Sequence, residues 1–168
     1  MRLAKALLAV ALSAGSLAAA AVAAVPNRPP MQDGTLSVRD GRASIVLKMK
    51  GSIIGRLAKG TVTVTDPGAD ATVIVRGADS ERYPTEKTTV YGGKGIRFRV
   101  ADDGRVTVKV TGKGINFSAV GRGDGWVDGW GDPAAGLFFD GAYSLNGEDY
   151  ASLPNERMRF ELAAPASP

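Results

Sequence analysis

What most limits the fold of this chain is an alternation of apolar and polar residues that recurs, with glycine punctuation, along most of its length. It is seen in TLSVR, ASIVLKMK, TVTVT, TVIVR, KTTVY, IRFRVA, RVTVKVT, INFSAV and RMRFELA. Residues two apart share one face of a strand, so each stretch offers one apolar side. No window beyond residue 25 carries apolar residues at helical spacing without a glycine breaking it. The expectation is a single all-β domain over 34–163, an antiparallel β-sandwich of hairpins and meanders. A closed β-barrel is the alternative and a β-helix the less favoured third. Within it, DSERYPTE at 79–86 reads as a loop.

Turn residues suggest where the chain reverses, because the length of a hairpin loop decides which side chains meet. A two-residue turn at Asp40-Gly41 would pair Val38 with Ala43. A three-residue loop Asp102-Asp103-Gly104 would pair Val100 with Val106 and Phe98 with Val108. A type II′ turn at Gly112-Lys113 would pair Val110 with Ile115, making residues 96–120 a three-stranded meander. The tetrapeptide GKGI occurs at 93 and again at 112, and GTLSV at 34 is echoed by GTVTV at 60. The gaps of 19 and 26 residues are unequal, which favours repeated hairpins over a solenoid of fixed period.

The first 24 residues have the layout of a secretory signal peptide: Arg2 and Lys5, an apolar run, then small residues before Pro26. Residues 25–33 read as a linker and 164–168 as a disordered tail. The expected location is secreted or extracytoplasmic. The chain contains no cysteine, so disulfides contribute nothing to its stability, and no histidine. Without either residue, Ser-His-Asp and Cys-His catalysis and the usual zinc sites are excluded.

Charge is unevenly spread. Residues 25–122 carry 17 cations against 9 acids, and residues 123–168 carry 2 cations against 8 acids. In the meander register, Arg97, Arg99, Arg105 and Lys109 share the polar face, with Arg97 opposite Lys109. That face is the candidate contact with an anionic cell-wall polymer or envelope surface. The modest charge of the mature chain argues against nucleic acid as the partner.

A second candidate is GRGDGWVDGWGDPAAG at 121–136. Trp126 and Trp130, if exposed, could stack on sugar rings; large aromatics more commonly cap an apolar core, and Phe138, Phe139, Tyr143 and Tyr150 are expected to join such a cluster. Asp124, Asp128 and Asp132 could hold calcium, which seeks six to eight oxygens, although their spacing fits neither the EF-hand nor the nonapeptide repeat. Turn chemistry accounts for the same Asp-Gly pairs more simply, and no other cofactor is expected.

The segments GTLSV, GRL-KGTVTV, VYGGKGIRFRV and GKGINFSAVG resemble exported β-proteins of high-GC actinobacteria. The resemblance spans most of residues 34–122, implies an exported all-β fold and carries over no functional residue. The sequence thus points to an exported, non-catalytic envelope or extracellular binding module with a basic sheet face. The alternative is a small extracytoplasmic carbohydrate-active enzyme or glycan-binding module using the Trp/Asp loop.

Overall fold

The computed structural model describes residues 32–130 and 140–163; the expected signal peptide and C-terminal tail lie outside them. Seven strands follow one another: β1 Gly34–Thr65, β2 Thr72–Arg76, β3 Ser80–Thr85, β4 Thr88–Gly129, β5 Ala142–Leu145, β6 Ala151–Ser152 and β7 Met158–Leu162. All pairings between strands are antiparallel, and the described residues contain no helix.

The pairs organise the chain as one long hairpin. Thr85 pairs with Thr88 around a turn at Glu86-Lys87. From there one ladder runs outward through Ser80↔Gly92, Arg76↔Arg97, Thr72↔Ala101, Thr65↔Thr107, Gly60↔Gly112 and Gly51↔Gly121 to Ala43↔Gly129. This hairpin is wound on itself. Ser118 of β4 has Ile54 on one side and Ser37 on the other, and Ile54 of β1 has Ser118 on one side and Arg99 on the other. Residues 37 and 54 therefore stand about 10 Å apart, while the extended chain joining them is about 56 Å long. Only a chain that travels round the core and returns meets both conditions. One winding takes 17 residues of β1 and 19 of β4, as the spacing of those flanking partners gives directly.

Corners in the winding fall on rows of small residues. One row crosses adjacent strands as Gly129–Ala43–Gly112–Gly60–Gly93, and another as Gly34–Gly121–Gly51–Asp102. Gly60 (φ 151°), Gly93 (φ 156°) and Gly112 (φ 156°) take backbone angles that side chains disfavour. A Cβ on Gly112 would collide with the Lys59 carbonyl oxygen and stand 2.9 Å from the Gly60 Cα. Between corners the alternation resumes and every inward side chain joins one cluster. Leu36, Ile45, Met49, Ile53, Leu57, Ile96, Phe98, Val100, Val106, Val110, Ile115, Phe117 and Leu162 are all buried in it.

Three sequence expectations are corrected here. No reversal occurs at Asp40-Gly41, Asp102–Gly104 or Gly112-Lys113; β1 and β4 run through all three. Val38 pairs with Phe117, Val100 with Ile53 and Val73, and Val110 with Ile45 and Val62. The turn chemistry is real but serves bulges and corners: Asp40 (φ 49°) lies at a register shift, and Gly114 (φ 63°) and Gly95 (φ 67°) follow the two corner glycines of the GKG repeats. Secondly, the sheet is not closed into a barrel, since its order β2-β4-β1-β5-β6 ends in free edges. Thirdly, 80–85 is an edge strand and not a loop, with Ser80, Glu81 and Arg82 paired to Gly92, Tyr91 and Val90.

The unequal repeat gaps also acquire a cause. The GKGI spacing of 19 is the winding length of β4, and Lys94 and Lys113 flank the same Lys59. GTLSV and GTVTV begin at different corner rows, so their spacing measures no full winding.

Candidate functional site

The four cations assigned to one face divide between two segments on either side of the Asp102–Gly104 corner. Arg97 pairs with Arg56 and Arg76, and Arg99 with Ile54 and Ile74. Lys109 instead lies between Val46 and Thr63, and Arg105 adjoins Lys50, Arg122, Asp124 and Glu161. Arg97 is thus not opposite Lys109, because the hairpin that would have brought them together does not form.

What the winding assembles around Arg97 and Arg99 is a more concentrated arginine surface. Two adjacent rows of outward side chains read Arg76–Arg97–Arg56–Asn116 and Ile74–Arg99–Ile54–Ser118–Ser37–Ser144; the next reads Thr72–Ala101–Ser52–Val120–Thr35. None of these positions is acidic. Ile54 is 61% exposed and Ile74 45%, and with the four arginines they line a shallow groove. Among the described residues, ion pairs join Arg122 to Asp33 at 2.9 Å and Arg157 to Asp128 at 3.8 Å, and none involves the four arginines. Neighbouring strands stand about 4.8 Å apart, so Arg76, Arg97 and Arg56 follow one another across adjacent strands with no acidic residue in their row; Asp40 lines the neighbouring hollow with Arg56 and Arg97. Each like-charged cross-strand pair costs up to about 1 kcal/mol in water. Arg56, Arg76, Ile54 and Ile74 escape a reading based on local hairpins; taking the 19-residue GKGI spacing as a winding length would have found them.

Among the described residues, the members of the Trp/Asp candidate do not converge on one point. Asp124 and Asp128 lie on β4 paired with Lys48 and Glu161, and with Ser44. Four residues apart on a strand, they are separated by about 13 Å, too far to share an ion. Asp132, Phe138 and Phe139 lie outside the described residues. Trp126 is covered by the Arg157 guanidinium, 4.2 Å from its ring centroid, while Tyr150 lies beneath that of Arg39 at 4.1 Å. The Tyr143 hydroxyl donates to the Met158 sulfur at 3.5 Å. Trp130 is 49% exposed, and its backbone N–H donates to the Arg42 carbonyl at 3.1 Å.

Titration is perturbed around Glu81. The Tyr83 hydroxyl is raised above its ordinary 10.0 chiefly by its hydrogen bond to Glu81; Tyr91 is raised mainly by burial and secondarily by the Glu81 charge. A raised tyrosine holds its proton more tightly folded than unfolded. Its contribution is complete below about pH 10 and is lost as pH climbs through the folded value. Tyr91→Phe is therefore expected to flatten the alkaline limb of a stability-against-pH curve, read by urea melts between pH 8 and about 11.

Among the described residues, no helix is long and apolar enough to cross a membrane. Comparison with protein-family models, with curated proteins and with solved structures finds no match.

Proposed function

We propose that the chain is an exported, non-catalytic binding module of the cell envelope whose partner is an anionic wall polymer. In this reading the coil is flattened into two packed layers, a β-sandwich, with Arg56, Arg76, Arg97 and Arg99 outside one of them. The supporting observation is the pair of acid-free rows carrying four arginines beside two exposed isoleucines. Guanidinium groups bind phosphate and carboxylate in bidentate fashion and are less strongly hydrated than ammonium groups. A sheet presents them from a backbone that is already ordered, and Ile54 and Ile74 offer apolar contact to a polymer backbone.

The test is co-sedimentation of the protein with purified cell wall at low and moderate salt. The wild type is expected to pellet, with affinity falling as salt rises. The double variant Arg56→Ser, Arg97→Ser should bind at least about tenfold more weakly, and Lys109→Ser within about twofold of wild type. Equal retention of the arginine variant would overturn the assignment. Capture by acidic lipid vesicles but not by wall would transfer the same surface to a membrane partner.

A further inference from the structure

The ladder of the wound hairpin is interrupted on both arms at one place, between Thr65↔Thr107 and Thr72↔Ala101. On one arm the gap is the loop Asp66-Pro67-Gly68-Ala69-Asp70-Ala71; on the other it is the bulge at Asp102, Asp103, Gly104 and Arg105. The Asp66 carboxylate holds its loop in shape. Its Oδ1 accepts the N–H groups of Gly68 and Ala69, both at 3.0 Å, and its Oδ2 accepts that of Ala71 at 2.8 Å.

Asp102 stands where the corner row otherwise carries glycine, and it is only 5% exposed. Its Oδ1 accepts the Gly104 N–H at 2.6 Å, but its buried Oδ2 has no hydrogen-bond partner among the described residues. An unpartnered carboxylate oxygen buried at a corner is costly unless something positive meets it. Among the described residues no lysine or arginine does so; what lies beside it are two more carboxylates. Oxygens of Asp66, Asp70 and Asp102 all fall within 4.8 Å of one another.

We propose that Asp66, Asp70 and Asp102 form a calcium site that ties the two arms of the hairpin together across this gap. Calcium binds oxygens at about 2.3–2.6 Å, so oxygens sharing one ion stand no more than about 5 Å apart, a limit these three donors meet. Magnesium demands near-ideal octahedral geometry and gives up its waters reluctantly, so calcium, with its looser shell of six to eight oxygens, is the better match to three carboxylates borne on a loop and a bulge. The donors are all oxygen, which disfavours softer metals. Asp70 is exposed, leaving the remaining coordination positions open to water. These residues are distinct from Asp124, Asp128 and Asp132, and the sequence conceals them because Asp66 and Asp102 are far apart in the chain.

Titration of the full chain with calcium chloride, read by calorimetry and by thermal unfolding against chelator, tests the site. One binding event is expected, and at calcium a hundredfold above Kd the unfolding midpoint should rise by about 8 °C. Asp70→Asn, at an exposed loop position, should keep the fold by circular dichroism and weaken calcium binding at least about tenfold. Asp102→Asn should abolish it, and Asp124→Asn should leave it unchanged. The proposal fails if neither heat nor a midpoint shift appears up to about 10 mM calcium, beyond the range of the weakest extracellular modules. It fails equally if Asp70→Asn binds as wild type does, if magnesium binds as tightly, or if Asp124→Asn removes the response.

Discussion

Gly112→Ala is expected to destabilise the protein by about 3–4 kcal/mol, moving the urea midpoint far below that of wild type. Two independent causes act together. The residue holds φ 156°, and an added Cβ would meet backbone on the facing strand, the Lys59 carbonyl and the Gly60 Cα. Backbone at a corner cannot move aside as a side-chain tip can, because Lys59 and Gly60 are themselves held between two successive stretches of β4. Gly95→Ala is the informative companion. It places a side chain at φ 67° with nothing within 4 Å, so only left-handed strain remains, about 1–2 kcal/mol. Equal losses in the two variants would mean that close approach at the corner rows contributes nothing to the fold.

The second large effect is at Phe98, which is 3% exposed and packs where Gly55 leaves space. Phe98→Ala is expected to cost about 3–5 kcal/mol, through lost burial and the cavity left behind. A Cβ on Gly55 would stand 2.7 Å from Phe98 Cζ and 2.5 Å from Phe117 Cβ, so Gly55→Ala should also destabilise. Because the new methyl group would partly occupy the space vacated by the ring, the double variant should lose less than the sum of the singles, by about 1 kcal/mol. Urea denaturation of the four proteins closes the cycle. Strict additivity would show that Gly55 is not there to accommodate the ring.

The all-β class and the identity of inward and outward residues were legible in the sequence, since alternation reports which face a residue occupies whatever its partner. Partners were not legible for the same reason. Val100 facing Val106 across a short loop satisfies the apolar pattern as well as Val100 facing Ile53 and Val73 does, and parity alone cannot choose between them. Local turn chemistry tipped the reading toward hairpins: Asp40-Gly41 and Asp102-Asp103-Gly104 carry residues that tight turns and bulges share. The GKGI repeat held the decisive information, but its 19-residue step had no visible counterpart in β1, which winds in 17. The two extra residues of β4 sit in the bulge at 103–105, opposite Lys50 alone. The arginine rows followed the same fate, half visible as Arg97 and Arg99 and half hidden until Arg56 and Arg76 were brought beside them.

With its reversal at Glu86-Lys87, the wound hairpin also constrains the order in which the molecule can come into being. A chain emerging with its N-terminus first delivers the whole of β1 before any residue of β4 exists to pair with it, and β1 pairs almost wholly with β4. Nascent β1 is then a long, half-apolar ribbon with both edges open, the kind of surface that recruits other copies. The pairs of shortest sequence separation lie at the Thr85–Thr88 turn, so pairing is favoured to start there and spread outward, the residues translated first being among the last to find their neighbours. Half of this molecule is therefore not a smaller version of it, and a fragment ending before residue 107 would leave the inner faces of both arms uncovered.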